Sequence, residues 1–193
     1  MFSYEMLVNS SHKLPQDFRP PAMSMPDIPF AAGPNEEKRF LECRAARHAE
    51  RLFLAAKMQG LALYGISGFR SYERQNELYQ NACRSAKNKT LCDVAAPGCS
   101  EHQTGLALDV SCPGVSLNLT EDFSETEEGK WLLRHAPLYG FILRYPKGKE
   151  HITKIPNEPW HIRYVTRSLA LCLTITGQVL EEYFEITAPS DAP

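Results

Sequence analysis

The chain has 193 residues, enough for one domain with a sizeable buried core. Hydrophobic residues make up 43% and charged residues 23%, which excludes disorder over the whole length. The 21 Lys+Arg against 23 Asp+Glu leave a net charge of −2, so there is no basic excess to hold a polyphosphate backbone and nucleic-acid binding is not expected.

No apolar run approaches the roughly 18 residues of a membrane helix. The start, Met1-Phe2-Ser3-Tyr4-Glu5-Met6, lacks the basic and apolar segments of a secretory leader. Two expectations follow for the compartment: cytoplasmic if Met1 is the native start, extracytoplasmic if a leader has been removed. The six cysteines do not decide between them. No CxxC pair is present, and free thiols are expected, with one local bridge allowed among Cys83, Cys92, Cys99 and Cys112. A monomer is expected.

Six prolines between positions 9 and 35 describe an extended arm. The arm (residues 1–34) is expected to pack on the domain through Leu14, Phe18, Ile28 and Phe30. Asn35 reads as the cap of a first helix whose apolar positions run from Phe40 to Ala56 and which stops at Gly60. A short buried strand over 61–66 and a turn at Ser67-Gly68-Phe69-Arg70 follow. Ser71 caps a second helix, and 87–101 is irregular. Strands are expected over 106–110, 141–145 and 160–165, with a helix over 125–136 ended by Pro137. Helices from Arg167 and around 180–184 complete a domain over 35–186, and 187–193 is expected to fray. The order predicts an α+β single domain with a small antiparallel sheet flanked by helices.

Three segments carry chemistry. In Ser100-Glu101-His102-Gln103-Thr104-Gly105-Leu106-Ala107-Leu108-Asp109, a histidine precedes a strand and a carboxylate sits inside it. A carboxylate among Leu106, Leu108 and Val110 is costly unless a cation or donors meet it. In Glu158-Pro159-Trp160-His161, Glu158 and His161 would face opposite ways in a strict strand, and Pro159 provides the bend that lets them share a site. Two His and one Asp leave a fourth zinc position open, as in catalytic rather than structural sites. A neighbouring carboxylate, Glu158, can then move the proton of a metal-acidified water. In the third segment, Arg70 stands at a strand-to-helix turn, where a guanidinium can stabilise an oxyanion.

Taken singly, each of these residues has an ordinary structural explanation. Together with Gly68-Phe69-Arg70-Ser71-Tyr72, Pro97-Gly98-Cys99-Ser100-Glu101-His102 and Tyr139-Gly140-Phe141-Ile142-Leu143-Arg144-Tyr145-Pro146, they give the chain a resemblance to the VanY-type D-alanyl-D-alanine carboxypeptidases of peptidase family M15. The chain is also similar to the bifunctional VanXY-type D,D-dipeptidase/D,D-carboxypeptidases. The resemblance implies one Zn²⁺ per chain held by His102, Asp109 and His161, Glu158 as general base, and Arg70 on the carbonyl oxygen. It also implies that Ser100, Gln75, Tyr145 and Trp160 line the substrate cleft. The implied substrate is a peptidoglycan stem peptide or precursor ending in D-Ala-D-Ala. An L,D-carboxypeptidase or an L-Ala-D-Glu endopeptidase on the same scaffold shares these motifs. A binding module that has lost catalysis should lack the metal set or the base, and here all four positions are filled.

Overall fold

The computed structural model describes residues 2–85 and 94–187. Two short strands, β1 (Met23–Ser24) and β2 (Leu41–Glu42), pair antiparallel near the N-terminus. Four further strands form the main sheet: β3 (Tyr64–Ser67), β4 (Ala107–Ser111), β5 (Phe141–Leu143) and β6 (His161–Tyr164). Their spatial order is β3-β4-β6-β5, antiparallel throughout, so β4 and β6 are the inner strands. Every residue of β4 and β6 is buried, including the polar Asp109, Ser111, His161 and Arg163. The expected fold class, α+β with a small antiparallel sheet, is the one observed.

The helices are α1 (Cys43–Met58), α2 (Tyr72–Ser85), α3 (Glu127–His135), α4 (Glu150–Thr153), α5 (Arg167–Thr176) and α6 (Leu180–Thr187). The face of α1 formed by Ala45, Ala49, Leu52 and Ala56 joins Leu106, Leu108, Val110, Phe141 and Ile162 in the main core. A second core under α5 gathers Ile142, Val165, Leu169, Ala170 and Leu180. No helix among the described residues is long and apolar enough to cross a membrane.

The first helix begins later than its apolar spacing suggests, and Asn35 does not cap it. Leu41 pairs with Ser24, and the Phe69 amide donates to the Phe40 carbonyl at 2.7 Å, so this segment is held extended. The Glu42 carboxylate then caps α1 by accepting from the Arg44 and Ala45 amides at 2.9 and 3.1 Å. Gly68 is required here, because a Cβ at that position would lie 2.6 Å from the Phe40 carbonyl oxygen.

Other elements follow the sequence closely. Ser71 Oγ accepts from the Arg74 amide at the start of α2, and Thr126 Oγ1 accepts from the Gly129 amide at the start of α3. Ile28 is buried in the main core, and Phe30 forms a bridge with Gly65. Leu14 and Phe18 are only half-buried. The β5 strand stops at Leu143 rather than 145. Cys99 and Cys112 are buried free thiols, so neither forms the local bridge that the spacing allowed. Cys92, most of the 87–101 loop's first half and the tail 188–193 lie outside the described residues.

Candidate active site

The inner strands place two of the three candidate ligands side by side. In the β4–β6 register Asp109 lies opposite His161, and across β3 it lies opposite Ser67. His102 arrives from a 3₁₀ turn, Glu101–Thr104, which ends at Gly105 with φ +67°. A Cβ on Gly105 would lie 2.9 Å from the Glu42 amide nitrogen. The glycine therefore lets the chain leave the turn and enter β4, and this sets the His-to-Asp spacing read in the sequence.

The ligand atoms of His102, Asp109 and His161 all lie within 4.8 Å of one another, and all three residues are buried. His102 Nε2 is 3.3 Å from Asp109 Oδ2, and His161 Nδ1 is 3.0 Å from Asp109 Oδ1. The other nitrogen of His102, Nδ1–H, donates to the Gly68 carbonyl at 2.6 Å, which fixes the tautomer and leaves the Nε2 lone pair facing Asp109.

The electrostatics favour a cation at this point. Burial pushes Asp109 up, but His102 and His161 outweigh it and hold the carboxyl well below the usual carboxylate range. Burial alone would lower His161; Asp109 and Glu101 overcome it and raise the ring to about 10. Burial, partly offset by Asp109, lowers His102. Two imidazoles and one carboxylate, converging and buried, fit a divalent ion of the zinc type, with coordination left for water or substrate.

Glu158 reaches the same point through a turn. The His161 amide donates to the Glu158 carbonyl at 3.1 Å, closing a bend around Pro159-Trp160. Glu158 Oε2 then stands 3.6 Å from His161 Nδ1. Burial raises the Glu158 carboxyl; His161 works against that, Asp109 with it. The site thus contains one carboxylate pressed toward ionisation and one pressed toward neutrality, a pairing suited to separate ligand and proton-transfer roles.

Arg70 points into the cleft from the turn after β3, with Nη1 donating to Gln75 Oε1 at 2.9 Å and Nη2 to Ser67 Oγ at 3.2 Å. Ser100, Tyr145 and Trp160 also line this cleft, and the Tyr145 ring lies against His161 with centroids 4.9 Å apart. Gln75 lines the cleft too, but both ends of its amide are engaged: Oε1 takes Arg70, and Nε2 donates to the Ala95 carbonyl at 2.6 Å. Its Oε1 holds one arm of the Arg70 guanidinium in place. Every residue singled out from the sequence therefore borders one cleft of about 230 Å³.

The sequence reading gave no role to the residues behind His161. Glu101 is fully buried, and its Oε1 accepts from Arg144 Nε and Arg163 Nη1, each at 2.8 Å. Burial raises its pKa, but the two guanidiniums hold it far below the carboxylate range. Arg144 also grips Glu181 of α6 with two bonds, at 2.9 and 2.7 Å. A signal was present: Phe141-Ile142-Leu143-Arg144 and Ile162-Arg163-Tyr164 each set an arginine inside an apolar run, where a charge needs a partner.

Comparison with known proteins identifies the family. The family model described as VanY, D-alanyl-D-alanine carboxypeptidase, matches residues 38–167. The putative carboxypeptidase YodJ of Bacillus subtilis (strain 168) is 43% identical over 180 residues, covering 93% of this chain and 66% of its own length. The chain spans about two thirds of the length of the first curated relatives it matches, 66% and 64%. Among solved structures, the LdcB LD-carboxypeptidase aligns with a TM-score of 0.89 at 42% identity, over 93% of this chain and 84% of that one. A vancomycin-resistance D,D-pentapeptidase VanY in complex with Zn(II) aligns with a TM-score of 0.73 at 31% identity, over 94% and 98%. The chain belongs to the VanY family of D-alanyl-D-alanine carboxypeptidases.

Proposed function

We propose that this chain is a zinc carboxypeptidase that releases the terminal D-alanine of peptidoglycan stem peptides or their precursors. The observation that carries the reading is the convergence of His102, Asp109 and His161 within 4.8 Å, with Glu158 beside them in one cleft. Bound to these three residues, zinc supplies Lewis-acid polarisation and an acidified water. Glu158 takes the proton of the attacking water and returns it to the leaving amine. Burial alone pushes this carboxyl toward the range in which one group can serve as both base and acid. Arg70, steadied by Gln75 and Ser67, offers its guanidinium to the carbonyl oxygen as charge builds there. Tyr145 and Trp160 wall the cleft and limit water.

A second reading concerns the bond. The family model is named for D,D-cleavage, whereas the LdcB structure, at 42% identity, is an LD-carboxypeptidase. This likeness supports a substrate whose penultimate residue has the L configuration, as in a stem tetrapeptide. Mass spectrometry of products from D-Ala-D-Ala, a stem pentapeptide and a stem tetrapeptide decides between them. Loss of one alanine, stopped by a chelator and restored by Zn²⁺, is expected. Release from the pentapeptide selects D,D-cleavage and release from the tetrapeptide selects L,D-cleavage. No alanine release from any of them, or release indifferent to chelator, overturns the reading.

A further inference from the structure

His161 is flanked by carboxylates on both sides of its ring. Nδ1 faces Asp109 Oδ1 at 3.0 Å, while Nε2 faces Glu101 Oε2 at 3.6 Å. Both Nε2 and Oε2 are buried and without a hydrogen-bond partner among the described residues. A neutral imidazole has one N–H and one lone pair. If Nδ1 gives its lone pair to a metal, the proton must sit on Nε2, and Glu101 Oε2 is the acceptor that faces it. At 3.6 Å this is a charge contact rather than a hydrogen bond.

Glu101 is well placed for that task because it cannot move away. Its other oxygen is clamped by Arg144 and Arg163 at 2.8 Å. Arg144 is itself fixed by Glu181, which also accepts from Asn9 Nδ2 at 3.1 Å. Arg163 Nη2 donates to the Met6 carbonyl at 2.9 Å.

We propose that Glu101 is a positioning residue which holds the His161 ring in the tautomer that presents Nδ1 to the metal, and that the Arg144–Glu181 and Arg163–Met6 contacts make α6 and the N-terminal segment part of the metal site's support. The inference rests on the reading that His102, Asp109 and His161 hold zinc.

Long-range ¹H–¹⁵N correlation spectra of the zinc-loaded full chain test it directly. His161 should carry its proton on Nε2 and be unprotonated at Nδ1; the reverse assignment overturns the proposal. Glu101→Gln, which puts an amide where the anionic acceptor stood, should weaken zinc binding about 10- to 100-fold in a chelator competition and shift the His161 nitrogens. Glu101→Asp keeps the charge that Arg144 and Arg163 require but draws the carboxylate back from the ring. It should fold and still lose zinc affinity. Affinity within twofold of the parent and unchanged His161 shifts in a folded variant overturn the idea. So does a lower melting temperature with an unaltered tautomer, which marks a merely structural role. If the parent chain itself binds no zinc, the metal-site reading fails; if the parent binds and the variants bind equally, only the role of Glu101 fails.

Discussion

Two clusters of buried charge meet at His161, and they are finished differently. Behind the ring, Arg144 and Arg163 are matched by Glu101 and Glu181, and the ion pairs close at 2.7–2.8 Å. In front of it, Asp109 faces two imidazoles, and three ligand atoms converge with a formal charge of one carboxylate between them. Burying charge costs several kcal/mol per ion unless a partner offsets it. The rear cluster supplies its own partners. The front cluster has a shape and a charge that a divalent cation completes, and the raised pKa of His161, about 10, records the same pull acting on a proton. The rear ion pairs are internally matched and leave Glu101 Oε2 facing His161, whereas the front cluster leaves its lone pairs converging on one point.

The sharpest way to break this comparison is to remove the open cluster's charge. Asp109→Ala should lower turnover by at least about 10³-fold, because the metal's several kcal/mol of stabilisation is lost. Zinc should also cease to raise the unfolding temperature, as a ligand that binds only the folded state otherwise does. A variant that keeps both activity and zinc-induced stabilisation would show that the front cluster is scaffolding like the rear one.

Next in size are the residues that border the open cluster without closing it. Glu158→Gln should cut turnover about 10²- to 10⁴-fold with zinc retained. Arg70→Ala should cut it about 10²- to 10³-fold, also with zinc retained. Metal content measured beside kcat separates the outcomes: parallel loss of zinc would move either residue into the metal's support.

The front cluster was legible because its information is local. His102 and Asp109 are seven positions apart with Gly105 between them, and Glu158 and His161 are joined by a proline bend. Spacing and residue type are readable within each short segment, but the meeting of the two, 52 residues apart, was implied by the family resemblance rather than by spacing. The rear cluster is assembled across separations of 43, 62 and 37 residues, and only the β5–β6 register and the docking of α6 bring it together. An arginine inside an apolar strand announces that a partner exists but not which one. The start of α1 was misread for a related reason: helical spacing runs on through Phe40 and Leu41, while backbone bonds from distant Gly68 and Phe69 pull that stretch straight. Gln75 lines the cleft, but residue type does not announce that its amide is bonded to Arg70 and to the Ala95 carbonyl.

In the rear cluster the largest expected loss is of stability. Glu181→Leu removes one partner of a bidentate pair and leaves two Arg144 donors buried without it, which should cost about 3 kcal/mol in urea unfolding. The same kind of pair on the surface provides the control. Arg74 and Glu77 meet at 2.8 Å, as close as the buried contacts, but their side chains are 53% and 63% exposed. Water and salt already solvate both ions, so Glu77→Gln should leave the urea midpoint unchanged. Equal effects from the two substitutions would mean that contact distance, not burial, sets what these pairs are worth. The distinction between an open and a closed buried cluster would then lose its physical basis.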